Sequence, residues 1–86
     1  MAMNTNKITI STSAIIVKAA NTSRKSITIT NVGSKTAYLG SNSSTTAVKG
    51  YPLRMGESMK DVIYVGAYYA ICGAGDTTDL NFIEED

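Results

Sequence analysis

The sequence predicts an all-β chain, a small β-sandwich or jelly roll of about seven to eight antiparallel strands. Three observations carry this reading. Short runs of β-branched and aromatic residues alternate with hydroxyl residues, the period of a half-buried strand. Gly, Asn, Ser and Asp clusters punctuate these runs at spacings of roughly 8–12 residues. The densest apolar stretch, Met59–Ile71, is rich in Val, Ile and Tyr and is interrupted by Gly66, which disfavours a helix there.

The elements follow in chain order. Residues 1–7 are mostly polar and read as a flexible N-terminal arm. Residues 8–84 form a single β-sandwich domain, and residues 85–86 an acidic tail, with Glu84 solvated alongside them. Lys7-Ile8-Thr9-Ile10 alternates and reads as a strand. Ala14-Ile15-Ile16-Val17 is a continuous apolar run, suited to a strand buried on both faces. Asn21-Thr22-Ser23-Arg24 has turn chemistry. In Ser26-Ile27-Thr28-Ile29-Thr30 the isoleucines share one face and the hydroxyls the other. In Thr36-Ala37-Tyr38-Leu39 the inward pair is Ala37 and Leu39. Gly33, able to adopt positive φ, predicts a hairpin between these two runs. The Ile/Leu face packs inward, and the Thr/Tyr face is wet or makes contacts.

Residues 40–46 are a polar loop. Pro52 confines Tyr51-Pro52-Leu53 to a sheet edge or strand start, with Leu53 and Met55 expected to point inward. Val62–Val65 and Ala67–Cys72 read as two strands parted by Gly66, with Tyr68 and Tyr69 on opposite faces. Residues 73–76 are a turn, and Asp79–Glu84 is the last strand, with Leu80 and Phe82 inward.

At 86 residues the chain holds one domain. So small a domain buries only about 60% of its unfolded surface, so association would add stability. The side-chain inventory argues against an enzyme. There is no histidine, and the single cysteine, Cys72, lies in an apolar run and can form no intrachain disulfide. No serine or threonine has an evident base. One cysteine without histidine cannot make a zinc site. Asp76-Thr77-Thr78-Asp79 lacks the ligand density of a calcium loop. Gly73-Ala74-Gly75 lacks the third glycine of a dinucleotide fingerprint. The sequence thus implies no catalytic residue, no cofactor and no metal. No run approaches the roughly 18 apolar residues of a membrane span, and the N-terminus has no apolar signal region. A soluble protein made in a cytoplasm is expected.

The net charge is +1, unevenly distributed. Every lysine and arginine precedes Asp61, opposed there only by Glu57, and from Asp61 onward every charge is acidic. Either the two halves meet within the fold and cancel, or the molecule has two oppositely charged sides that meet its copies or a charged shell. A single-stranded nucleic-acid binder could stack its tyrosines on bases, but scattered lysines and an acidic C-terminal third oppose it. For a protein partner, Tyr51, Arg54 and Met55 sit near a probable edge, and Tyr, Arg and Met are enriched at interfaces. Arg24 and Tyr38 complete the candidate contact set.

The order of these pieces over residues 14–84 resembles small virion proteins of tailed bacteriophages, of the capsid decoration or cement type. The residues that carry it are Arg24 before the Ile27/Ile29 strand, the Asn31-Val32-Gly33 turn, and Leu39-Gly40. Gly50, Leu53, Gly56 and Glu57 follow, then Tyr69-Ala70-Ile71 before Gly73, and Glu84 at the end. The resemblance implies a non-enzymatic β-sandwich, commonly a homotrimer, that bridges copies of the major capsid protein. It would sit on the capsid surface of a virion assembled in the host cytoplasm. A tail or fibre module that binds host glycan or protein is the alternative, motivated by the Thr/Tyr face and the polar loop.

Overall fold

The structure, a computed structural model, describes residues 3–86. Those residues form eight strands and no helix. They are β1 (Met3–Ile10), β2 (Ile15–Lys18), β3 (Ser26–Asn31), β4 (Ala37–Gly40), β5 (Tyr51–Leu53), β6 (Ser58–Asp61), β7 (Tyr68–Cys72) and β8 (Thr78–Glu85). Two four-stranded antiparallel sheets result, one in the order β1-β8-β3-β6, the other β2-β7-β4-β5.

The pairing has a simple logic. β1 pairs with β8, β2 with β7, β3 with β6, and β4 with β5. The chain is therefore one long antiparallel ribbon folded back at residues 41–50. The ribbon wraps so that successive pairs fall in alternate sheets, and β3·β8 and β4·β7 contacts knit each sheet together. This is jelly-roll connectivity. It collects the β2–β3, β4–β5 and β6–β7 loops at one end of the sandwich and the other four connections at the opposite end.

Period-two patterning builds the core. β3, β4, β7 and β8 alternate buried and less buried residues along their length. Ile27 and Ile29, Ala37 and Leu39, Tyr68, Ala70 and Cys72, and Leu80 and Phe82 meet between the sheets, closed by Ile10, Val17 and Leu53. The expected inward faces of β3, β4 and β8, the Tyr68/Tyr69 split and the edge position of β5 all hold.

Several expectations change. Residues 3–7 are not an arm: they continue β1 against β8 up to Met3↔Glu85, because the backbone ladder tolerates polar side chains on a solvated strand. Residues 1–2 lie outside the described part. β3 and β4 do not form a hairpin but lie in different sheets. The chain crosses between the sheets at Asn31, which is fully buried and uses its side chain to tie the crossover. Its amide nitrogen donates to the carbonyls of Lys35 (2.6 Å) and Leu53 (2.8 Å). Its amide oxygen accepts from the Gly33 N–H (3.0 Å) and the Thr78 hydroxyl (2.8 Å). Gly33 does not use positive φ. It is required because a Cβ there would press on the Thr78 hydroxyl and lie 2.6 Å from the Asp79 nitrogen.

β2 is not buried on both faces, since Ile16 points outward and is 42% exposed. Met55 sits in the β5–β6 turn, exposed rather than inward. Residues 62–65 are a loop, not a strand. The acidic terminus is not all solvated: Glu84 is buried, Glu85 ends β8, and Asp86 accepts a hydrogen bond from Asn21.

Candidate interaction surface

The β-ladder register separates the outer faces of the two sheets by chemistry. On the first sheet, Thr5↔Ile83↔Thr28↔Lys60 and Lys7↔Asn81↔Thr30↔Ser58 form outward rows. Hydroxyls bond across them, Thr9 to Asp79 and Thr30 to Ser58, each at 2.7 Å. A shallow groove of about 480 Å³ runs over this face, lined by hydroxyl and amide groups together with Val32, Phe82 and Ile83. On the second sheet the outward rows are Ile16↔Tyr69↔Gly40 and Ile71↔Tyr38↔Pro52. None of these residues is charged. The expected single Thr/Tyr face is thus two faces, with the threonines on one side of the sandwich and the tyrosines on the other.

The end that gathers the β2–β3 and β6–β7 loops is organised by Arg24. Its side chain is buried, contrary to a contact role, because the Asn21–Arg24 turn folds it under the β6–β7 loop. Nε donates to Glu84 Oε2 at 2.6 Å. One terminal nitrogen donates to Gly66 O (2.9 Å) and Tyr64 O (3.3 Å), the other to Ala19 O (2.9 Å). The guanidinium also lies over the Tyr68 ring, 5.5 Å from its centroid. One side chain thus links β8 to two loops, and only a planar fork of several donors can do so.

Glu84 has no exposed surface. Its second oxygen has no hydrogen-bond partner and faces Lys18 Nζ at 3.6 Å. A β-bulge between Ile16 and Lys18 places Lys18 opposite the inward Tyr68, so that its ammonium reaches this carboxylate. Burial pushes the Glu84 pKa upward, but the Arg24 hydrogen bond and the Lys18 and Arg24 charges outweigh it and hold the carboxyl below its ordinary value. Here the basic and acidic halves of the sequence meet inside the fold.

Asp61 does the same for the β6–β7 loop from β6. Its carboxylate accepts the N–H groups of Ile63 (2.8 Å) and Tyr64 (3.1 Å) on one oxygen and the Tyr68 hydroxyl (2.7 Å) on the other. The Ile63 N–H, then the Tyr68 hydroxyl, hold the Asp61 pKa down. Burial, then the Asp61 carboxylate, push the Tyr68 phenol well above its usual range. Tyr64 packs edge-on against Tyr68, with centroids 5.2 Å apart, and folds back over Gly66, where a Cβ would strike its ring. Above this frame Val62 and Ile63 protrude, 62% and 86% exposed.

Of the five residues singled out in the sequence, four remain at the surface and they do not form one patch. Tyr38 lies on the uncharged face of the second sheet. Tyr51 starts edge strand β5 and is 63% exposed. Arg54 and Met55 occupy the turn at the opposite end from Arg24, where Arg54 contacts Glu57. The surface residues that sequence reasoning missed are Ile16, Ile71, Val62 and Ile63. Parity with Tyr69, opposite the inward Tyr68 and Ala70, places Ile71 outward once the strand is known, whereas Ile16, Val62 and Ile63 carry no such signal. Asp61, a residue that readily caps its own following N–H groups, marked the loop start.

The chain matches no protein-family model and no curated protein.

Proposed function

We propose that this chain is a non-enzymatic virion structural protein that decorates and cements a bacteriophage capsid by bridging its subunits. The observation that carries the reading is the spread of exposed large apolar side chains over several surfaces of one small, rigid sandwich. Val62 and Ile63 stand at one end, Met55 at the other, Tyr51 at an edge, and Ile16 on a face. Apolar side chains scattered singly are ordinary on a monomer, but the adjacent Val62 and Ile63 project together and offer a neighbour a contact. A component wedged among several neighbours in a shell gains contacts on each side. The residue pattern over 14–84 that resembles decoration proteins supports the same reading. So does the jelly-roll connectivity, an architecture that viral capsid proteins and lectins share.

Cementing requires no chemistry from the chain. It requires a sandwich that holds its shape under load, and the Asn31 and Arg24–Glu84 ties at the two ends serve that need. Particles that lack the protein should lose their genome at lower temperature and after milder osmotic shock than intact particles. Equal tolerance would refute the cementing role.

One feature favours a recognition module of a tail or fibre as the second reading. The groove over Thr5, Lys7, Thr28, Thr30 and Asn81 sets hydroxyl, amide and ammonium groups beside the apolar Val32 and Ile83, a mixture suited to the hydroxyls and apolar faces of a sugar. A glycan array and a host-cell pull-down that both came up blank would remove this reading.

A further inference from the structure

Building on the recognition-module reading of the groove, we infer that it takes an acidic oligosaccharide. The sugar chain lies across the strands of the β1-β8-β3-β6 sheet, with its anionic groups on Lys7 and Lys60.

The charges of this face have a definite order. The two central outward rows hold the cations: Lys60 ends the row Thr5↔Ile83↔Thr28↔Lys60, and Lys7 begins the row Lys7↔Asn81↔Thr30↔Ser58. The carboxylates lie in the flanking rows, Glu85 opposite Ser26 and Asp79 opposite Thr9. Lys7 and Lys60 are both exposed, and neither joins an ion pair among the described residues. Asp79 already accepts the Thr9 hydroxyl at 2.7 Å. An anionic ligand that stays within the central rows therefore meets two unpaired cations. One that ran along the strands would meet Asp79 or Glu85 and be repelled.

The placement of the lysines favours a chain over a lone anion. Lys7 is on edge strand β1 and Lys60 on edge strand β6, three strand steps away. Neighbouring strands lie about 4.8 Å apart, so the two side chains are rooted about 14 Å apart across the sheet. That separation suits anionic groups on different rings of one oligosaccharide.

The floor between the lysines suits sugar rings. Thr28, Thr30 and Asn81 supply hydroxyl and amide partners, and Val32 and Ile83, 50% and 38% exposed, supply apolar contact for the C–H faces. The outward rows hold no aromatic ring, so a nucleic-acid strand would find cations here but no platform on which to stack its bases.

The test is a glycan array probed with the full chain at low salt. It carries matched pairs, oligogalacturonate with its methyl ester and sialyllactose with lactose, together with a sulfated heparin fragment. An acidic probe should be held and its neutral partner not, and binding should weaken as salt rises. Retention of the carboxylated or of the sulfated probes tells which anion the groove takes. Lys7→Gln and Lys60→Gln should each weaken binding by up to about fivefold, the worth of one exposed ion pair, and together they should abolish the preference for the acidic probe. Lys7→Arg with Lys60→Arg should keep that preference, and so should Lys49→Gln, which removes a cation of the 41–50 loop. Urea unfolding checks that each variant folds. Neutral probes held as well as acidic ones would overturn the inference and leave the recognition reading standing. An acid preference that survives loss of both lysines, or that falls equally with Lys49→Gln, would also overturn it. A blank array would remove both.

Discussion

Replacing Arg24 by alanine should cost about 3–5 kcal/mol of folding stability, the usual result of removing one partner from a buried ion pair. The magnitude follows from what is left behind. Glu84, with no exposed surface, keeps only Lys18 at 3.6 Å. The carbonyls of Ala19, Tyr64 and Gly66 lose their shared donor. For a chain of this size, total stability is about 4–13 kcal/mol, so the variant should lose a large part of it. The melting temperature should fall by at least about 12 °C. Urea unfolding measures this through a lower midpoint at an unchanged slope. The double variant Arg24→Met/Glu84→Leu should cost clearly less than the sum of its singles, because it removes the buried charge together with its partner. A single-variant loss below about 1 kcal/mol, or strict additivity in the cycle, would refute the claim that this pair organises the end of the sandwich.

Other expectations follow from the same structure. Asn31→Asp should destabilise by about 2–4 kcal/mol by urea unfolding, since it replaces a donor to two carbonyls with an acceptor in a fully buried site. Gly33→Ala should cost about 1–3 kcal/mol, because the added methyl meets backbone atoms of Thr78 and Asp79 that cannot rotate away. Stability should also fall at both pH extremes. Glu84 and Asp61 have folded values below their ordinary 4.5 and 3.8, so their contribution is complete above those values and is lost as pH falls through the folded ones. Tyr68 and Cys72 are raised above their ordinary 10.0 and 9.0, Cys72 by burial and then by Asp76, so stability declines as pH rises past those values. Urea midpoints measured against pH should therefore show a plateau between the two regions, and Glu84→Gln should reduce the acid slope.

The strands were largely legible because the core obeys a period of two. Ile27/Ile29, Ala37/Leu39 and Leu80/Phe82 alternate with polar or less buried partners, and Pro52 marked an edge. What was not legible depends on partners distant in sequence. Nothing within the last three residues shows that Glu84 is buried, because the reason is Arg24, sixty positions earlier. Asn31 looked like a turn residue, since its side chain's two distant partners, Leu53 and Thr78, become neighbours only when the ribbon wraps. Val62–Val65 had strand composition, but Asp61 captures the following N–H groups and ends the ladder. The hairpin expected around Gly33 failed for a related reason: in a jelly roll β3 pairs with β6 and β8, not with β4. Of the contact residues, Tyr38 and Tyr51 were readable from type and edge position. Ile16 and Ile71 were not, because apolar residues on an outer sheet face look in sequence like core.

The most direct test of the proposed role is to measure, by quantitative mass spectrometry, how many copies of this protein purified phage particles carry relative to the major capsid protein. A capsid-wide cement predicts a fixed ratio close to one copy per capsid subunit or a simple fraction of it. Particles that carry none of the protein would contradict the account.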